Sequence, residues 1–157
     1  MNRKARSNRR GFTLIELLIV IAIIVVLISA AAPKFSQYLM NARETAALGA
    51  IRTIHTAQTQ YSSQYGRYAK SLAELGPPPA GGQVGPSSAD LIQADLASGV
   101  KGGYRFTVEE TPGGYRILAV PVAYNNTGRR SFYSDQTMVL RQSWTQEPAT
   151  ANSPEIQ

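Results

Sequence analysis

One carboxylate in this sequence sits where a carboxylate is costly. Glu16 is the single charged residue in the 21-residue run from Phe12 to Ala32, whose other polar side chains are the hydroxyls of Thr13 and Ser29. At about 1.5 Å per residue a helix of this length spans about 31 Å, close to the ~30 Å hydrocarbon thickness of a bilayer. An acid in such a helix costs on the order of 2–3 kcal/mol at its centre and less toward an end, so Glu16 should seek a cation. The other residues capable of chemistry are sparse. His55 is the only histidine and lies between Ile54 and Thr56 in a helical stretch, which reads as a polar-face or interface position. Asp135, in Ser134-Asp135-Gln136-Thr137, and the pair Asn125-Asn126 offer oxygens that calcium could use. No EF-hand spacing is present, and turn chemistry accounts for them. With no cysteine, thiol catalysis and the usual zinc sites are excluded. No phosphate loop, paired catalytic acids or nucleophile–base set stands out. The sequence therefore implies no catalytic residues, no metal and no cofactor, and the chain does not read as an enzyme.

The elements around Glu16 explain its placement. Arg3, Lys4, Arg6, Arg9 and Arg10 precede the apolar run with no acid among them. They account for most of the net charge of +6, and without them 11 basic face 10 acidic side chains. The basic balance is thus a topogenic signal rather than a nucleic-acid footprint, and specific nucleic-acid binding is not implied. Such a leader places the N-terminus in the cytoplasm and the rest of the chain across the membrane. A secretory signal peptide also begins this way. Its apolar core is shorter, however, and no A-x-A site followed by a polar start occurs here. An uncleaved anchor would explain the leader and the apolar run but has no use for Glu16.

Gly11-Phe12-Thr13-Leu14-Ile15-Glu16-Leu17-Leu18-Ile19-Val20 resembles the prepilin signal of type IV pilins and type II secretion pseudopilins. The resemblance covers about the first quarter of the chain. It implies that a prepilin peptidase cuts between Gly11 and Phe12, and that the new amine of Phe12 is then methylated. It places Glu16 on the glutamate that family uses in assembly, and Pro33 where many type IV pilins carry a helix-bending proline. It also implies a homo-oligomeric helical filament and an assembly platform in a bacterial inner membrane. Many of those pilins staple a C-terminal loop with a cysteine pair. This chain has none, so its C-terminal region must be held by packing, hydrogen bonds or a metal.

Beyond Pro33 the helical pattern continues. Ala47, Ile51, Ile54, Gln58, Tyr61 and Tyr65 recur at alternating four and three spacing, a mostly apolar stripe that wants a partner layer. Arg43, Glu44, Arg52, Thr56 and Thr59 are assigned to the other faces. One helix is expected from Phe12 to about Tyr65, with a kink at Pro33, a glycine cap at Gly66 and a further turn over Lys70–Leu75. The segment Tyr61, Gly66, Tyr68, Leu72, Leu75 is similar to the tyrosine-glycine-x-tyrosine connection of pilin-like proteins. Gly76 to Gly82 is a loop. Ser87-Ser88-Ala89-Asp90 reads as the start of a short helix bearing Leu91, Ile92 and Leu96. From Gly102 the period becomes two. Tyr104, Phe106 and Val108 alternate with polar residues, and Tyr115–Val122 follows a Pro112-Gly113 turn. Ser131–Tyr133 and Met138–Arg141 complete a three- or four-stranded antiparallel meander. The polar segment from Thr145, with Pro148 and Pro154, reads as a disordered tail.

These pieces give an α+β, type IV pilin-like fold: a long N-terminal helix, apolar in its transmembrane half and amphipathic beyond, packed on a small antiparallel sheet. The expected parts are a cleaved leader (1–11), a membrane or filament-core helix (12–33), a globular head (34–144) and the tail (145–157). The leading functional reading is a structural filament subunit, single-pass in the inner membrane with a periplasmic head before assembly. Pilus and secretion pseudopilus are both compatible with it. The alternative is a minor pilin or pseudopilin whose head binds a secretion substrate, DNA or a surface. An anchored periplasmic enzyme is a third reading, without a catalytic constellation to support it.

Overall fold

The computed structural model describes residues 11–156, with the side chains of residues 30–33 outside the described part. The basic leader residues 1–10 and the kink expected at Pro33 therefore lie outside the described residues. Two compact units divide the chain, Met1–Gln37 and Tyr38–Gln157.

The first helix, α1 (Leu14–Tyr65), contributes to both units. In the first unit every large apolar side chain from Phe12 to Ile28 is at least 44 % exposed. In the second unit α1 becomes the spine of the head. Ala47, Ile51, Ile54, Gln58 and Tyr61 are buried, and Tyr65 packs against the same core, so the four–three stripe faces inward as its spacing requires. Gly66 ends the helix with φ of 70° and its N–H bonded to the Ser62 carbonyl at 2.9 Å. A side chain with a Cβ adopts that left-handed conformation only at a cost. One further turn, α2 (Leu72–Leu75), buries Leu72 and Leu75.

The third helix is shorter than expected. It is α3 (Ala94–Ala97), beginning after Gln93 rather than at Ser87–Asp90. Residues 89–92 are used otherwise. The N–H groups of Ala89, Asp90 and Leu91 bond to the carbonyls of Glu74, Gly76 and Leu75, so the backbone caps α2 instead of starting a helix. Ile92 and Leu96 are nonetheless buried.

The sheet has five antiparallel strands in sequential order: β1 (Val100–Lys101), β2 (Tyr104–Thr111), β3 (Gly114–Pro121), β4 (Ser131–Asp135) and β5 (Arg141–Ser143). This is a meander, one strand more than the sequence suggests, because the two-residue β1 is too short to show alternation. The β2–β3 register closes Thr111 on Gly114. That leaves Pro112-Gly113 as the turn, with Gly113 at φ 79° where only glycine is unstrained. The inner face carries Tyr104, Phe106, Val108, Ile117, Ala119 and Phe132, in one core cluster with the α1 stripe. The last strand differs from expectation. Met138–Leu140 is connection, since the Met138 N–H closes on the Asp135 carbonyl at 2.9 Å and Met138 takes φ of 63°.

The segment after Thr145, expected to be disordered, is bound to the sheet. The Gln142 N–H bonds to the Pro154 carbonyl and the Ile156 N–H to the Leu140 carbonyl, both at 2.9 Å. Ala149 is buried, its N–H held by the Ser131 hydroxyl at 2.8 Å. Polar composition hides this ordering because most of the bonds are made by backbone groups. Packing and hydrogen bonds hold the C-terminal region where a disulfide might have done so.

Candidate functional site

The chemistry-bearing N-terminal residues meet at the start of α1. Thr13 is the residue before the helix, and Glu16 is its third residue. The Thr13 N–H and hydroxyl both donate to Glu16 Oε2 at 2.9 Å, while the Glu16 N–H donates to Thr13 Oγ1 at 3.3 Å. This is a capping box, in which two backbone donors that the helix leaves unpaired are satisfied reciprocally. The negative carboxylate also faces the positive end of the helix dipole. An uncleaved anchor would therefore gain something from Glu16 after all, a correction to the sequence-based argument. Phe12 is 83 % exposed, and a Cβ on Gly11 would meet nothing within 4 Å. Among the described residues Glu16 is engaged by Thr13 and not by Phe12. Pro33 lies within the bounds of α1, and its side chain is outside the described residues.

Two buried polar groups in the head were not anticipated. His55 is 6 % exposed, not on a polar face. Its Nδ1 lies 2.6 Å from the Tyr115 hydroxyl and its Nε2 2.8 Å from Ser134 Oγ, and Ser134 Oγ donates to the Val139 carbonyl at 2.9 Å. A carbonyl can only accept, so the serine proton is committed to Val139. His55 Nε2–H must then donate to Ser134, and the tyrosine hydroxyl donates to Nδ1. Burial pushes the Tyr115 phenol up to about 12, which keeps that donor protonated. A serine beside a histidine invites comparison with a nucleophile–base pair. Here the hydroxyl is fully buried and its proton already given to the backbone, the reverse of what an attacking group needs.

Burial also holds His55 below its usual value of 6.5, with the nearby Asp135 charge opposing the shift. A lowered folded value means that the unfolded chain binds the proton more readily, so stability rises with pH through that window. The melting temperature should therefore fall as pH drops below about 6.5. In His55→Gln this component of the pH dependence should vanish while the carboxylate-driven loss at lower pH remains. Melting profiles of the two proteins with the same slope through this window would mean that folding leaves the proton affinity of His55 unchanged.

Glu44, which the sequence reading assigned to an outer face, is 2 % exposed. It accepts from the Arg129 N–H at 2.8 Å and from Arg130 Nε at 2.7 Å, tying α1 to the β3–β4 connection. Gln58 grips the Ala69 backbone with both ends of its amide, at 2.9 and 2.8 Å. Of the loop oxygens considered for calcium, Asp135 Oδ1 is engaged locally, accepting from the Thr137 N–H and hydroxyl. The Asn125 N–H bonds to the Gly128 carbonyl. Among the described residues no three His, Cys, Asp or Glu side chains converge to hold a metal.

Residues 6–32 match the prokaryotic N-terminal methylation motif. Over its N-terminal half the chain is similar to a type IV pilin. A curated relative, the type IV major pilin protein PilA of Myxococcus xanthus, is 38 % identical over 76 residues, covering 47 % of this chain and 34 % of that protein. The match thus spans about a third of the relative's length. No solved structure matches the chain. The long N-terminal helix and small antiparallel sheet are the α+β architecture expected of a type IV pilin. Among the described residues no single helix is long and apolar enough to cross a membrane, although Leu14–Ser29 and Lys34–Tyr65 pass that test as a pair.

Proposed function

We propose that the chain is a structural subunit of a type IV pilus-like filament, cut after Gly11, methylated on Phe12 and polymerised through its apolar N-terminal helix. The observation that carries this reading is the methylation motif at residues 6–32, joined to an apolar helix with every large side chain exposed. Fully burying one such side chain is worth about 1.5–3 kcal/mol, so leaving this helix in water forfeits on the order of 20 kcal/mol or more. Lipid relieves that cost before assembly, and copies of the same helix relieve it afterwards. The chain then sits single-pass in a bacterial inner membrane, N-terminus cytoplasmic and head periplasmic. Its partners are prepilin peptidase, an assembly platform and other copies of itself. The domain limits that go with this are a leader over 1–11, a membrane or filament-core helix over 12–33 that bends at Pro33, and a head beyond.

Processing provides the test. In cells expressing the matching peptidase, mass spectrometry of the assembled subunit should find an N-terminus at methylated Phe12. Gly11→Val should leave only full-length precursor in the membrane fraction, because a side chain enters the position next to the cut bond. Assembled material beginning at Met1 would refute the reading.

A further inference from the structure

One end of the head carries a group of side chains that neither the core nor the processing signal uses. The chain enters the head at Tyr38, and the residues that follow, Arg43 and Glu44, meet the β3–β4 connection there. Arg43 Nη1 reaches the Asn126 carbonyl at 3.3 Å, and Glu44 takes Arg129 and Arg130. The antiparallel order brings the end of β5 to the same place, since Ser131 pairs with Ser143, and Trp144 follows. Trp144 is 59 % exposed, yet it is held. The Arg130 guanidinium lies 5.0 Å from its ring centroid, and the Tyr124 hydroxyl bonds to its carbonyl at 2.6 Å. Arg130 is fixed in turn by Glu44 and by Gln142 Oε1 at 2.9 Å. An exposed indole on so restrained a support is preorganised. Tyr38 and Leu39, where the chain enters the head, and Val122, just after β3, are also exposed. Among the described residues no carboxylate forms an ion pair with the side chain of Arg43 or Arg129.

We infer that this end of the head is a docking surface for anionic phospholipid headgroups, which it meets while the subunit waits in the membrane. The inference rests on the membrane-inserted reading above. Tryptophan and tyrosine concentrate at the headgroup level because each has an apolar body and a polar edge, and each arginine near an anionic surface adds about 1 kcal/mol. The reach is adequate. Only twelve residues of chain separate Ala32 from Glu44, a contour of about 18 Å when helical. A headgroup layer of about 6 Å and a Debye length of about 8 Å cover most of that distance, and the arginine side chains cover the rest. Docking would hold the head against the bilayer and hide this end until the subunit is extracted.

Trp144 is the only tryptophan, so the full chain reports on itself. It is reconstituted at low density into vesicles of phosphatidylcholine alone or of equimolar phosphatidylcholine and phosphatidylglycerol, each doped with a lipid bearing a nitroxide on its headgroup. Flotation scores insertion separately. In the anionic vesicles Trp144 emission should be blue-shifted and strongly quenched, and added salt should reverse this. Arg129→Ala removes a side chain that forms no hydrogen bond or ion pair among the described residues and should lower the docked-to-undocked ratio about fivefold, and Arg43→Ala by a similar factor. Inserted protein whose Trp144 is unquenched in both vesicles overturns the docking surface and leaves the filament reading standing. Equal quenching in both vesicles overturns the anionic recognition. A blue shift without quenching assigns the surface to a second copy of the chain and overturns it too. A chain that fails to float refutes the membrane reading and this inference with it.

Discussion

Ile54→Asp should unfold the head, whereas Thr53→Asp, one residue earlier on the same helix, should leave it folded. Ile54 is fully buried in the core shared by α1 and the sheet, and Thr53 is exposed. Removing a buried aliphatic side chain of this size costs roughly 2–5 kcal/mol. The aspartate adds either a buried charge without a partner or the cost of holding the carboxyl neutral. The sum approaches the whole stability of a small domain, roughly 5–15 kcal/mol. At an exposed position away from caps and networks the expected change is within about 0.5 kcal/mol. The comparison is made on the full chain in detergent. Near-ultraviolet circular dichroism and cooperative melting should be lost for Ile54→Asp and retained for Thr53→Asp. Cooperative melting in both variants would mean that the apolar stripe does not face the sheet.

That stripe shows how far the sequence carries. Met40, Glu44, Ala47, Ile51, Ile54, Gln58, Tyr61 and Tyr65 alternate in steps of four and three without a break. Apolar residue type alone starts the stripe at Ala47, whereas spacing starts it at Met40, and spacing is right. Glu44 occupies a core-facing position and is buried because Arg130 and the Arg129 N–H receive it. Its partner lies 86 residues away, and no local pattern can reveal such a pairing. His55 is similar. It borders the stripe, but only the fold brings Tyr115 and Ser134 to its two nitrogens. Alternation gave β2 and β3 well, because eight residues with one buried face repeat the signal several times. Two- and three-residue strands such as β1 and β5 repeat it at most once. The C-terminal segment was misread because its composition is polar while its anchoring runs through backbone N–H and C=O groups. At the N-terminus, the spacing Thr13-x-x-Glu16 is itself a capping-box signature, and it gives Glu16 a local use alongside the one suggested by the apolar run.

Those two uses of Glu16 can be separated by substitution. In the proposed filament the processed Phe12 amine, from the same subunit or a neighbour, supplies the cation that the carboxylate seeks. Removing one partner of a buried ion pair costs on the order of 3–5 kcal/mol, because the other charge is left unmatched. A helix cap is worth about 1 kcal/mol. Glu16→Gln is the informative change. Glutamine can accept the Thr13 N–H and preserve the capping box, but it brings no charge to the amine. It should insert and be cleaved normally, yet give few filaments, as should Glu16→Val. Glu16→Asp, which keeps the charge on a shorter arm, should give an intermediate yield. Thr13→Ala makes the complementary test, since it loses the hydroxyl of the capping box and keeps the carboxylate. The loss of about 1 kcal/mol at one frayed helix end should leave filament yield close to wild type. Counting filaments and cleaved subunits for the four variants distinguishes the roles. Wild-type assembly by Glu16→Gln, with a marked defect in Thr13→Ala, would make Glu16 a helix cap and remove the assembly role from its charge.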